Sequence, residues 1–393
     1  MTFLQILLWS CLAILFYCYI GYGILLFIFN KIKTIGSFSK KEGQFEFLPV
    51  TLIIAAYNER AVLSYKIENC LEIDYPAGLL NIIFITDGST DNPEEVIGKY
   101  PQITILHQSK REGKSAALKR AMRFVQTPIV VFSDANSILN SNCLKAMTRH
   151  YADKKVGGVA GEKKIIQGKY SSAVGQAEGM YWRYESFMKK QDSDFNTVVG
   201  AAGELFSMRT ELFHAPDDHF ILDDFLFSIQ ICLEGYKIKY EPGAFALETP
   251  SASLAEEEKR KIRIAAGAYQ SVSFLTQCLN IFKFPLLSIQ YFSRRLLRWI
   301  LSPILIFLVA ITNIELVLHH QGTVFIYLLF AQGIFYLLAL TGRLIIAVGW
   351  RMGILGIPFY FIFMNLCLVK GFFKCIQGRQ SVLWEKSIRE AIE

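Results

Sequence analysis

The sequence predicts an α/β domain with a mostly parallel sheet, flanked by transmembrane helices. Two observations carry this reading. A mean hydropathy of +0.32 is high for a soluble protein, yet 19% of the residues are charged, a mixture that suggests a soluble domain fused to membrane segments. From about residue 44 continuous apolar sequence gives way to short apolar runs separated by amphipathic stretches, the pattern of alternating strands and helices.

The N-terminal run "FLQILLWSCLAILFYCYIGYGILLFIF", residues 3–29, is uncharged and long enough to cross a hydrocarbon core of about 30 Å. A signal peptide fits less well, because the run lacks a basic leader, exceeds the usual apolar length and shows no convincing cleavage site. Lys31, Lys33, Lys40 and Lys41 all follow it, which by the positive-inside bias places the next segment in the cytoplasm. After Gln270, residues 274–292 mix apolar and polar residues with a proline and suit an interfacial helix. Residues 299–318, 324–340 and 353–369 read as three further membrane segments, with Glu315 and Arg343 as polar intrusions. The expected layout is a transmembrane helix over residues 1–30, a cytoplasmic domain over 44–275, an interfacial region over 276–296, about three membrane segments over 297–372 and a basic tail over 373–393. Three full crossings would put that tail outside although its Lys and Arg content reads as cytoplasmic, so one segment is expected to be re-entrant or interfacial.

The eight cysteines are scattered without a C-x-x-C pair, which indicates neither a zinc site nor a disulfide framework and fits a reducing compartment. The net charge of +7 falls largely near the apolar runs, where anionic lipid headgroups attract it, and forms no aromatic-laced basic stripe. Membrane lipids are therefore expected partners and nucleic acid is not.

The runs "PVTLIIAA" (49–56), "LNIIFITD" (80–87), "ITILH" (103–107) and "PIVVFSDA" (128–135) read as buried strands, with helices fitting between them from Arg60 and from Lys114 to Phe124. Several end in the polar clusters "YNE", "DGSTD" and "SDANS". In open parallel sheets ligands bind beyond the carboxyl ends of strands, so these clusters face one site.

Glu59 and Asp87, closing two adjacent strands, could accept hydrogen bonds from a nucleobase; turn chemistry explains either cluster alone, but less easily all three together. "KREGKSAALKRAM" (110–122) sets Lys114 at a helix start, where it can touch a phosphate, although the P-loop spacing is missing. In "SDANS", Asp134 and Asn136 could serve a divalent ion, Mg2+ or Mn2+, which takes one or two oxygens from protein while phosphates and water supply the rest. Asn136 and Ser137 equally suit the cap of a helix beginning "SILNSNCLKAM". "FILDDFLFSIQICLEG" carries Asp223 and Asp224 on entry to an apolar-periodic helix; adjacent like charges raise one pKa, which suits a general base. "EEEKRKIRIAAGAYQ" (256–270) is compatible with a solvated face or, through Arg263, with a diphosphate clamp.

Together these motifs resemble the membrane-bound family 2 glycosyltransferases of the cellulose synthase, hyaluronan synthase and poly-N-acetylglucosamine synthase type. The resemblance covers about residues 44–275 and implies a glycosyltransferase A type nucleotide-diphospho-sugar-binding domain. "AAYNE" and "DGSTD" match two of the family's strand ends, which implies that Tyr57, Glu59 and Asp87 bind base and ribose, with Lys114 near the diphosphate. The family's D-x-D appears as "DAN", implying Asp134 as nucleotide and metal ligand and Asn136 as a looser one. "LDD" matches its acidic motif, making Asp224 the implied base and Asp223 its neighbour. "RKIRIAAGAYQ" matches the family's Q-R-x-R-W-x-x-G-x-x-Q pattern at Arg263, Gly267 and Gln270, whereas "RLLRW" (295–299) sits at a membrane threshold where Arg and Trp anchor interfaces anyway. Arg260 and Ile264 replace the family's Gln and Trp, which puts long-polymer synthesis in doubt. "GAAGELFSMR", with Gly203 and Glu204, resembles the acceptor-site turn, and "YWRYE", with Trp182, a helix near it.

The resemblance implies an inverting hexosyltransferase at the cell membrane, with its catalytic domain cytoplasmic, acting in exopolysaccharide, capsule or cell-surface glycan synthesis. A divalent cation is its expected cofactor, a nucleotide sugar such as a UDP-sugar its donor, and a glycan or lipid-linked saccharide its acceptor. Two other readings stand beside it: a polyprenyl-phosphate sugar transferase, and a non-catalytic nucleotide-binding membrane scaffold.

Overall fold

A computed structural model describes residues 2–35, 46–166, 173–214, 219–348, 353, 356–378 and 389. Lys40, Lys41 and most of the expected basic tail lie outside them. In chain order the helices are α1 (Phe3–Phe16), α2 (Tyr22–Ile35), α3 (Arg60–Leu71), α4 (Pro93–Ile97), α5 (Lys114–Met122), α6 (Cys143–Thr148), α7 (Ala173–Phe195), α8 (Asp223–Leu233), α9 (Leu254–Phe274), α10 (Pro285–Tyr291), α11 (Ser302–Leu318), α12 (Thr323–Ala347) and α13 (Gly356–Ile376). The strands are β1 (Val50–Ala56), β2 (Leu80–Asp87), β3 (Thr104–Gln108), β4 (Ile129–Asp134), β5 (Ile138–Leu139), β6 (Val156–Ile165), β7 (Leu205–Arg209) and β8 (Lys237–Glu248).

The chain divides into two units, one of residues 1–31, 167–181 and 250–380, the other of 32–166, 182–249 and 381–393. The second holds a single eight-stranded sheet in the order β3-β2-β1-β4-β7-β6-β8-β5. Strands β1 to β4 pair in parallel, as expected from their continuous apolar sequence; β1 is buried at every position because both faces of the sheet are covered. Beyond β4 the sheet turns mixed. β7 runs antiparallel to both β4 and β6, and its register opposes Leu205 to Ser133. That pairing sets the turn before β7 beside the carboxyl end of β4.

Two features depart from the sequence expectation. The segment after "SDANS" forms no helix: a turn leads into β5, which pairs with β8, and α6 begins only at Cys143. Ser137 instead donates its hydroxyl back to the Asp134 carbonyl at 2.8 Å. Residues 276–296 do not form one separate interfacial helix either. A 3-10 turn over Thr276–Leu279 precedes α10, which continues through the π-helical Phe292–Leu301 into α11, because Pro285 starts a helix readily and nothing after it breaks one.

In the other unit four helical stretches, Phe3–Ile35, Pro285–Leu318, Thr323–Ile346 and Gly356–Ile376, are long and apolar enough to cross a membrane. Leu8 and Cys11 pack with Leu305, Val309 and Leu316. Polar groups among these helices satisfy one another, as the Tyr17 and Ser293 hydroxyls do at 2.8 Å and those of Tyr19 and Ser302 at 2.8 Å. Helix α9, expected to belong with the soluble domain, clusters with this unit, because its small-residue stripe accepts α13 at close range. A Cβ added to Gly371 would lie 2.5 Å from the Ala265 Cβ, so only glycine permits that approach.

Candidate active site

The cleft of the sheet unit is lined by Lys114, Ser133, Gly203, Asp223, Asp224 and apolar residues that include Ala55, Phe132 and Phe227. The polar groups of the site arrive on several elements. The first is Asp134, the last residue of β4. Its turn is braced from below by Lys66 of α3, which is wholly buried and donates to the Ser137 carbonyl at 2.6 Å and to the Ser133 hydroxyl at 3.2 Å. Burial holds the Lys66 amine below its usual pKa range.

Lys114 opens α5 and points at Asp134, Nζ to Oδ1 at 2.6 Å. Asp87, at the end of β2, sets the loop before it. That buried carboxylate accepts the backbone N–H groups of Glu112 at 2.9 Å and Gly113 at 2.6 Å, and pairs with Arg120 further along α5 at 3.1 Å. Gly88 permits the crossing of the two loops: its φ is +66°, and a Cβ there would lie 2.5 Å from the Arg111 Cβ. Arg111 in turn stacks its guanidinium 3.8 Å above the Tyr57 ring. Tyr57 is half-buried just past β1, and Glu59 stands at the start of α3.

The turn before β7 supplies Gly203 and Glu204. It is tied to β4 by the Ser133 hydroxyl, which donates to the Glu204 carbonyl at 3.0 Å, and to α8 by the Ala201 N–H, which donates to the Ser228 hydroxyl at 2.9 Å. A Cβ at Gly203 would lie 3.1 Å from the Lys114 ammonium and 3.3 Å from Asp224 Oδ2. The glycine therefore leaves open the gap between the cation and the carboxylate. Asp223 and Asp224 form the first turn of α8, where its exposed N–H groups favour negative charge; Asp223 Oδ1 accepts from the Asp224 N–H at 2.9 Å and Asp224 Oδ1 from the Phe225 N–H at 2.8 Å.

Electrostatics separates the roles of these groups. Burial, the adjacent Asp223 charge and Glu204 push the Asp224 carboxyl up to about 7 against the pull of Lys114. Burial likewise raises Asp223, whose buried Oδ2 has no hydrogen-bond partner. Burial alone would lower the Lys114 ammonium, but Asp134, Asp223 and Asp224 outweigh it and hold it above the usual lysine range. Asp224 is thus a carboxylate that can take up or release a proton near neutrality, and Lys114 stays a cation.

Glu204 belongs to a second charge group behind the cleft. Its Oε1 lies 2.5 Å from the Lys163 ammonium, which outweighs burial and holds the carboxyl well below its usual range. Lys163 also pairs with Glu248 at 2.7 Å and sits 4.8 Å over the Trp182 ring. Lys66, Arg120, Lys163 and Glu248 were not singled out in the sequence. The one signal available was their type, charged residues inside apolar-periodic segments. Arg263 and Gln270 lie on α9 in the other unit. There Arg260, the substitute for a glutamine in the resemblance, is ion-paired with Glu178 and with Glu257.

A divalent cation fits the donor set of the cleft. Among the described residues no group of three or more His, Cys, Asp or Glu side chains could hold a metal, so a closed protein cage is absent. A partly exposed Asp134, Asn136 two residues beyond it, and the orphaned Asp223 oxygen instead offer a few hard oxygens at an open site, the arrangement Mg2+ and Mn2+ accept when phosphates and water complete the shell.

Residues 51–215 match the family model described as glycosyl transferase family 2. The chain is 27% identical over 234 residues to the poly-beta-1,6-N-acetyl-D-glucosamine synthase of Staphylococcus aureus strain COL, covering 56% of this chain and 55% of that protein. To the enzyme of the same name from Staphylococcus epidermidis it is 24% identical over 229 residues, with 56% and 55% covered. The chain thus spans about half the length of the curated relatives it matches. Among solved structures, the mannosyltransferase PcManGT from Pyrobaculum calidifontis, in complex with GDP-Man and Mn2+, superposes with a TM-score of 0.69 at 19% identity, over 96% of this chain and 100% of that one. That likeness shows the fold, a glycosyltransferase A type α/β domain with long apolar helices at both ends. The match to glycosyl transferase family 2 falls mainly on the unit that holds the cleft.

Proposed function

We propose that this chain is a membrane-embedded inverting glycosyltransferase that moves a hexose from a nucleotide-diphosphate sugar, with UDP-sugars the first donors to test, to a hydroxyl of a glycan or lipid-linked saccharide. The observation that carries this reading is the pairing, across Gly203, of a permanent cation with a carboxylate that titrates near 7. Transfer to a hydroxyl needs a base to take its proton and a positive environment for the departing diphosphate, and the two groups supply these from opposite sides of one gap.

Asp224 takes the proton from the acceptor hydroxyl as its oxygen attacks the anomeric carbon and the bond to the nucleotide breaks. Asp223 raises the basicity of its neighbour. Lys114, held in place by the loop that Asp87 braces, offers its charge to the diphosphate, while Tyr57 and Glu59 flank the place for the base and ribose. Asp134 with Asn136 would hold a divalent ion, which when bound neutralises phosphate charge and orients the leaving group. A polyprenyl-phosphate acceptor would need no base, and a non-catalytic scaffold would need no buried Asp223 beside Asp224, so the hydroxyl-acceptor reading uses more of the site than either.

The orientation we propose puts the cleft in the cytoplasm. Lys31 and Lys33 follow the first apolar stretch and favour that side. Arg389, after the last apolar helix, is ion-paired at 2.7 Å with Glu248 of the sheet unit, which supports a chain that returns to the side it left at residue 249. Of the three later apolar helices an even number can then cross. We assign α13 to the interface, because it runs beside the charged α9, with Tyr360 donating to Glu257 at 2.8 Å and Lys370 paired with Glu258. A fluorescent protein fused to the C-terminus is expected to mature and glow in the cytoplasm; a dark fusion beside an active periplasmic reporter at the same position would reverse the assignment.

Turnover is expected to fall as pH drops through about 7, because Asp224 is pushed up to about 7 and only its ionised form accepts a proton. Asp224→Asn should lower kcat by about 100- to 10,000-fold while donor binding survives. Undiminished turnover of that variant would remove Asp224 from the mechanism. Asp134→Ala is expected to abolish metal-dependent nucleotide release, whereas Asn136→Asp preserves it. Nucleotide release from a panel of donors and divalent ions measures both, and an Asn136→Asp variant as inert as Asp134→Ala would refute the oxygen-donor role.

A further inference from the structure

We infer that Arg389, near the chain's end, is a positioning residue for transfer, holding Glu204 behind the cleft through Glu248 and Lys163. The inference rests on the transferase reading and adds to it a residue more than 160 positions beyond the base.

The four side chains form an alternating row within the sheet unit. Arg389 Nη2 lies 2.7 Å from Glu248 Oε2, and its Nη1 donates to the Thr249 carbonyl at 2.7 Å. The same Glu248 oxygen lies 2.7 Å from Lys163 Nζ, which reaches Glu204 Oε1 at 2.5 Å. Glu248 is fully buried and neither of its oxygens has a hydrogen-bond partner, so ion pairing alone compensates its charge. Two cations and two carboxylates make the row neutral. Without Arg389 the two carboxylates would share the Lys163 ammonium, and the more deeply buried Glu248 would draw it away, since an uncompensated charge costs most where solvent is least available.

Glu204 is where this reaches the reaction. Its other oxygen, Oε2, is buried with no hydrogen-bond partner, so Lys163 is the hydrogen-bond partner of its carboxylate, with the Lys189 charge adding to the pull. The Glu204 backbone carbonyl anchors the turn to Ser133 at 3.0 Å, and the neighbouring Gly203 is the residue at which a Cβ would meet both Lys114 and Asp224. Letting Lys163 swing toward Glu248 therefore loosens the turn that keeps the gap open between Lys114 and Asp224. The charges facing Asp224 are those of Asp223, Lys114 and Glu204, and of these only Glu204 is linked to the row.

A double-mutant cycle tests this on the full-length protein in lipid, with nucleotide release at saturating donor as the readout. Arg389→Ala is expected to lower kcat roughly tenfold, within the range of coupled neighbours, with donor KM unchanged, and Arg389→Lys to restore most of it. In a Glu204→Gln background, the same Arg389→Ala change should cost nothing further. Glu248→Gln combined with Arg389→Ala should recover turnover, because neutralising Glu248 frees Lys163 for Glu204; this arm guards against a variant that is merely unstable. Losses that multiply in the Glu204→Gln background, or no recovery with Glu248→Gln, would overturn the inference. Asp224→Asn assayed alongside reports separately on the base: turnover retained there sinks the transferase mechanism and leaves the cycle readable in its own terms.

Discussion

The ammonium of Lys114 lies among the carboxylates of Asp134, Asp223 and Asp224, and most of what the sheet unit does structurally can be understood as keeping it there. Two unit charges about 4 Å apart near a protein surface interact by about 4 kcal/mol, so three carboxylates around one cleft would not all stay ionised without a cation between them. The arrangement requires a set of braces: Asp87 under the loop that carries Lys114, Lys66 under the turn that carries Asp134, Ser228 and Ser133 on the turn that carries Gly203. Each brace is a buried polar group with a defined partner, which is how a protein fixes a polar constellation without leaving orphaned donors.

The topology delivers these pieces to one place. Parallel strands β1, β2 and β4 bring "YNE", "DGSTD" and "SDANS" to the same edge of the sheet, as any open parallel sheet does. The reversal at β7 is what adds the second half of the site. Because β7 runs against β4, its beginning meets the end of β4, and the turn that enters it carries Gly203 and Glu204 beside Asp134. Helix α8 then supplies two aspartates at its positive end. The polar groups of the cleft thus come from different halves of a mixed sheet.

The parallel half was legible in the sequence because its strands are buried on both faces and so read as unbroken apolar runs; "PVTLIIAA", "LNIIFITD", "ITILH" and "PIVVFSDA" each correspond to a strand within a residue or two. The other half was not. "VGGVAGEKKI" and "KIKYEPGAFALE" carry charged residues within strands because Lys163, Glu241 and Glu248 are paired with one another or with distant groups, and such partners cannot be found from local pattern. The same limit hid the strand that follows "SDANS", where a helix was expected: β5 forms because β8 is there to pair with it. Asp87 was legible as a strand-end carboxylate, but not the fact that its hydrogen bonds go to the Glu112 and Gly113 backbone.

In the proposed mechanism a base and a cation, facing each other across one open gap, bring about a single in-line displacement. The stereochemistry of the product reports on this most directly. Proton NMR of the first product formed from an α-linked nucleotide sugar should show the new bond in the β configuration, inverted at the anomeric carbon. Retention of the α configuration would mean two displacements or an internal return, and would contradict the roles of Asp224 as base and Lys114 as the cation that receives the leaving diphosphate.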